Sequence, residues 1–296
     1  MKPIDAAILS FTLLVAGCTA VPPPPGPELA PAPLPEVAPG LTLTWSSGVS
    51  ETVTAVRGET VDWRDGDGNS FTAYRNFVLP QLAWDYPRTR AVTEVMAAPQ
   101  ALWPLTVGKA EHFRVIQRIT EKIHGSERPY MNDWICRVAG TEALATRLGV
   151  FDTYRLTCAR YWQGSNMGEV RWNYAPTLGV PVRRVWPDGS REELVGLSAG
   201  QPLPALADLE SVRQEALERL PSGRRLERVS GGLAIAVTPV ATHHGGDGFC
   251  RVHAVEIRSA DARTLRSALA CRGADGRWRD PTATDRLAAG QEGEHH

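Results

Sequence analysis

The chain has 296 residues with 32 Lys and Arg against 33 Asp and Glu, a formal net charge of −1. That balance gives no sign of a basic nucleic-acid surface or of a surface that seeks anionic membranes. The length suits one large or two modest domains, and eight of the nine tryptophans fall between Trp45 and Trp186, a density that favours a well-filled β core in the first part of the chain.

The apolar run from Ala6 to Ala16 is too short to span a bilayer. With Lys2 ahead of it and small residues after it, it reads as a signal-peptide core over residues 1–17. Val15-Ala16-Gly17-Cys18 resembles a bacterial lipobox, which implies that Cys18 becomes the acylated first residue of the mature chain. Several acyl chains on one cysteine make a lasting anchor, at about 0.8 kcal/mol per buried methylene. Thr19, where inner-membrane lipoproteins of enteric bacteria carry Asp, implies the outer membrane, with the periplasmic face expected. Val21 to Gly40 is rich in proline. It is expected to form a polyproline spacer reaching roughly 60 Å from the bilayer at full extension, so residues 18–40 form an anchor and linker.

From Leu41 onward, short β-branched and aromatic runs alternate with turn chemistry: LTLTW, ETVTAV, ETVDW, then RDGDGNS and FTAYRNFVL. Further strands are expected at AEHFRVIQRI, DWICRVAG, DTYRLTCARYW, GEVRWNYAP, VPVRRVWP and REELVGL. Residues 41–200 therefore predict a mainly β domain, a curved antiparallel sheet closed as a sandwich or as an incomplete barrel. Three segments, LWPLTVGK at Leu102–Lys109, GVFDTYRLTC at Gly149–Cys158 and YAPTLGVPVRR within Asn173–Val185, resemble a group of uncharacterised proteobacterial envelope proteins. The resemblance implies a half-open β-barrel, akin to shells that carry lipoproteins across the periplasm, and brings no activity with it.

The period then changes. Leu206, Leu209, Val212, Ala216 and Leu220 fall at helical spacing, and Pro221-Ser222-Gly223 ends the run. Three strands and a final DG turn into Trp278 follow, so residues 205–280 predict a small α+β module with one helix packed on an antiparallel sheet. FCRVHAVEI and ACRGADGRW resemble the end domain of the rickettsial-type outer-membrane surface antigen family, without that family's glycine zipper. Residues 281–296 read as a disordered tail.

With Cys18 assigned to lipid, four cysteines remain, and an even number in an oxidising compartment argues for two disulfides. Cys136 and Cys158 flank one expected hairpin and Cys250 and Cys271 another. A turn at Ser259–Ala262 sets the latter two opposite each other, so local pairing is expected.

Each chemical motif has a plainer counterpart. Asp65–Asn69 alternates oxygen ligands like a calcium loop, but Ser70 and Asn76 stand where such a loop needs Gly and Glu, and a hairpin turn requires the same composition. His243, His244, Asp247 and His253 could assemble a surface metal site, although neighbouring loop histidines point apart. Glu111, His112 and His124 have the wrong spacing for HExxH. There is no nucleophile elbow and no phosphate loop, so no catalytic residue, metal or cofactor is assigned and a non-enzymatic protein is expected.

Two roles follow. The first is an outer-membrane lipoprotein that serves envelope structure or assembly through a protein partner. The second is a carrier of lipid or another apolar ligand in the barrel mouth, for which Trp84, Trp103, Trp134 and Trp172 are the candidate lining. A filled interior favours the first and an open, apolar-lined cavity the second.

Overall fold

The computed structural model describes residues 26–200, 208–245 and 248–281. The signal segment, Cys18, Leu206, Asp247 and the tail beyond Pro281 lie outside these residues. No helix among the described residues is long and apolar enough to cross a membrane.

Twelve strands form the main body: β1 (Thr42–Trp45), β2 (Ser50–Arg57), β3 (Thr60–Asp65), β4 (Ser70–Tyr74), β5 (Ala83–Asp85), β6 (Thr89–Val95), β7 (Ala110–Glu121), β8 (Glu127–Thr146), β9 (Gly149–Trp162), β10 (Ser165–Ala175), β11 (Val180–Val185) and β12 (Arg191–Ala199). Each pairs antiparallel with the next, and β1 pairs with β12 in the register Thr42↔Ser198, Leu43↔Leu197 and Trp45↔Leu194. The barrel is therefore closed, not half-open as expected. The reason is that β1 is hydrogen-bonded on both edges, to β2 through Thr42↔Thr52 and to β12, which leaves no open seam.

Alternation explains the strands. Phe113 and Val115, Cys136 and Val138, Tyr154, Leu156 and Cys158, and Trp172 and Tyr174 are buried at period two, while the residues between them in β7, β8 and much of β9 face outward. The expected DWICRVAG strand is part of a 20-residue strand, β8. The register of β8 on β9 shifts between Val138 and Gly140, where Gly140 has φ +154°, and the ladder continues beyond the bulge to Thr146↔Gly149.

The spacer expected to run to Gly40 does not stand free over its described part. Ala32 is buried and exchanges backbone hydrogen bonds with Leu105, its N–H donating at 3.2 Å and its carbonyl accepting at 2.8 Å. The Tyr154 hydroxyl reaches the carbonyls of Leu29 at 3.2 Å and Ala30 at 2.9 Å. Leu29 and Leu34 pack against one core cluster and Val37 against another. Proline removes donors, but a polyproline strand still offers carbonyls and apolar rings, and these dock inside the barrel.

The C-terminal segment adds α1 (Asp208–Arg219), β13 (Leu226–Ser230), β14 (Leu233–Gly245), β15 (Gly248–Arg258), β16 (Arg263–Arg272) and β17 (Trp278–Arg279). Val212 and Ala216 of α1 pack on Ile235, Val237, Val255 and Ile257, and Leu217 packs with Ala270 and Trp278. Glu256, 5% exposed, accepts from Arg225 at 2.5 Å and Arg263 at 2.7 Å, which satisfies a buried charge. The end of β12, Gly196–Ala199, also pairs with β16, and Ala254 and Leu265 share a core cluster with barrel residues. The two parts thus share one sheet and part of one core.

Candidate ligand cavity

Both disulfides join the expected pairs, Cys136 with Cys158 and Cys250 with Cys271, each across directly opposed strand positions. Cys136 and Cys158 are fully buried, which fixes the β8–β9 wall from within the barrel.

Between the two barrel core clusters lies a cavity of about 460 Å³. Inward positions of β1, β3, β4, β8 and β10 bring Trp45, Trp63, Phe71, Trp134 and Trp172 to its wall, and Pro35 and Val37 of the docked segment close another part. It reaches the surface at Trp186, 37% exposed, and at Arg160, also exposed. Volume and lining fall in the range of small-ligand sites.

Of the four expected tryptophans, Trp84, Trp134 and Trp172 line this cavity. Trp103 does not. It is buried in the loop between β6 and β7, edge-on to Phe77 at 5.7 Å, and its indole N–H has no acceptor among the described residues. Phe77 in turn stacks on Tyr174 at 5.4 Å and meets Trp172 at 6.3 Å. Tyr174 stands outside the lining, and burial pushes its hydroxyl up to about 12.

On the Trp186 side the mouth is polar and paired. The Arg184 guanidinium lies 4.0 Å over Trp45 and 5.4 Å from Trp186, a cation–π arrangement. It donates to Glu192 at 2.6 Å and to Glu51 at 3.3 Å. The two indoles donate to the same carboxylates, Trp45 to Glu51 at 2.8 Å and Trp186 to Glu192 at 3.0 Å. Burial raises the Glu192 carboxyl, but donors from Ser47, Arg184 and Trp186 outweigh it and hold the group below its ordinary value. Sequence reasoning missed Trp45, Trp63, Trp186, Arg184 and Arg75 as lining. Strand alternation through TVDWRD and VPVRRVW would have faced Trp63 and Arg184 inward with the other inner residues.

The remaining candidates resolve differently. Asp65 Oδ1 accepts from the N–H groups of Asp67 at 3.0 Å and Asn69 at 2.8 Å, so the calcium-like loop is a turn that uses its own carboxylate. His253 is fully buried opposite Pro239, away from His243, which sits opposite Cys250. His244 packs on Phe249 at 4.5 Å. His112 bonds Asp133 at 2.9 Å on the outer face together with Arg114, while Glu111 is half-buried and His124 exposed at the β7–β8 turn. Among the described residues, no three His, Cys, Asp or Glu side chains converge on a point suited to a cation.

No family profile matches the chain, and no curated protein matches it. The resemblances of its two parts rest on the segments quoted above. Among solved structures, the hypothetical lipoprotein YmcC from Escherichia coli (K12) is similar at 11% identity and a TM-score of 0.39, over 56% of this chain and 84% of YmcC. A likeness at that level establishes neither fold nor function for this chain.

Proposed function

We propose that the protein is a non-enzymatic envelope lipoprotein, acylated at Cys18 and held at the periplasmic face of the outer membrane, whose barrel binds an apolar ligand. The single observation that carries the binding role is the tryptophan-lined cavity of about 460 Å³ inside the closed barrel. An assembly role alone would need no such void, because empty apolar space costs packing energy that a filled core retains. The anchor and location rest on the lipobox-like Val15–Cys18 and on Thr19. The docked segment 26–40 supports a short tether, since residues 19–25 lie between Cys18 and that segment in the sequence.

The test is titration of the mature chain, residues 19–296 exported behind an unlipidated signal, with the neutral fluorophore N-phenyl-1-naphthylamine. Saturable one-to-one binding with quenching of tryptophan emission is expected, and Trp172→Ala should weaken it about fivefold through the lost ring contact. Absence of saturable binding would remove the carrier role.

A further inference from the structure

The cavity holds a half-buried charge that its surroundings leave unanswered. Arg75 follows β4, is half-buried and lines the void. Its Nε is buried without a hydrogen-bond partner, and its guanidinium makes no ion pair or side-chain hydrogen bond among the described residues. Glu59 accepts only the Arg75 main-chain N–H, at 2.9 Å. The other arginine held in the lining, Arg184, is shared by Glu51 and Glu192, and Arg160 at the mouth is exposed to water. Across the lining, three arginines face one glutamate. With one guanidinium nitrogen buried and no counter-charge beside it, Arg75 is better satisfied when an anion meets it, and its planar fork suits carboxylate or phosphate oxygens.

We infer that the cavity takes an anionic amphiphile, a carboxylate or phosphate joined to an apolar body, with the anion on the Arg75 guanidinium and the body against the tryptophan faces. This rests on the cavity-binding role proposed above. The aromatic faces of Trp63, Phe71, Phe77, Trp134 and Trp172 in the lining suit an alkyl chain or ring. With Arg184 paired, Arg75 is the less exposed of the two lining arginines without a counter-charge among the described residues, which suits it to choose the headgroup.

The experiment measures binding of three probes of equal chain length to the mature chain by calorimetry below their aggregation limits: dodecanoate, monododecyl phosphate and methyl dodecanoate. Both anions are expected to bind at least about tenfold more tightly than the ester. Arg75→Met should bring all three to within about threefold by weakening the anions alone, while Arg75→Lys keeps most of the preference and Arg160→Met keeps nearly all of it. The tighter anion identifies the source, a fatty acid or a lipid phosphate. Ester binding by Arg75→Met reports that the variant is folded. If the ester matches the anions in the wild type, or if the anion preference survives Arg75→Met or disappears with Arg160→Met, the headgroup assignment is wrong and the apolar cavity stands. If none of the three binds, both are wrong.

Discussion

His253 illustrates how one buried side chain sets a property of the whole molecule. It is fully buried in β15, its Nε2 has no hydrogen-bond partner among the described residues, and burial pulls its pKa down from 6.5 to about 4, with the Arg251 carbonyl opposing and Arg213 and Arg266 adding to the effect. Between those values the unfolded chain carries a proton on this residue and the folded one does not, so unfolding takes up a proton and stability falls as pH falls. The loss attributable to this group is at most about 3 kcal/mol, complete near pH 4. Urea titrations at pH 7, 5.5 and 4 should show a flatter profile for His253→Phe than for the wild type, and equal slopes would mean the ring is not held neutral. Sequence alone groups His253 with His243 and His244, because a β-strand residue's depth depends on which sheet face is covered. The same limit explains the tryptophans. Trp84, Trp134 and Trp172 sit in strands, where alternation points them inward. Trp103 sits in a loop with no period to orient it, and its packing against Phe77 is set by the fold.

At the scale of elements, hairpins were the most legible features. Turn chemistry at Ser259–Ala262, where the Ser259 N–H donates to the Ala262 carbonyl at 2.8 Å, fixes the register that brings Cys250 opposite Cys271. The helix also followed from its apolar spacing, with Val212 and Ala216 buried as that spacing requires. The docked proline segment was not legible, since its composition is that of a solvated spacer and its partners, Leu105 and Tyr154, lie 73 or more positions away from Ala32. Removing the hydroxyl that holds it makes a sharp test. Tyr154→Phe takes the donor from the Leu29 and Ala30 carbonyls and should cost about 1 kcal/mol in urea unfolding. It should also speed proteolytic nicking within residues 26–40. Unchanged nicking would mean that this contact does not restrain the segment.

At the scale of the molecule, closure is the feature that local sequence does not encode. β1 and β12 are separated by more than a hundred residues, and their alternation is the same whether they meet or leave an open seam. Closure turns an exposed groove into a site inside a shell fixed by twelve strands, an internal disulfide and the docked segment, open to water at Trp186 and Arg160. The β12–β16 pairing then ties the C-terminal sheet to this shell, so the cavity and the smaller α+β part share one framework. The measurement that tests the account most directly is native mass spectrometry of the mature chain purified from the periplasm without detergent, followed by organic extraction of the sample. The account predicts a stoichiometric, non-covalent adduct of small apolar or amphiphilic character that is released by the solvent. A bare chain, with no adduct and nothing in the extract, would contradict it.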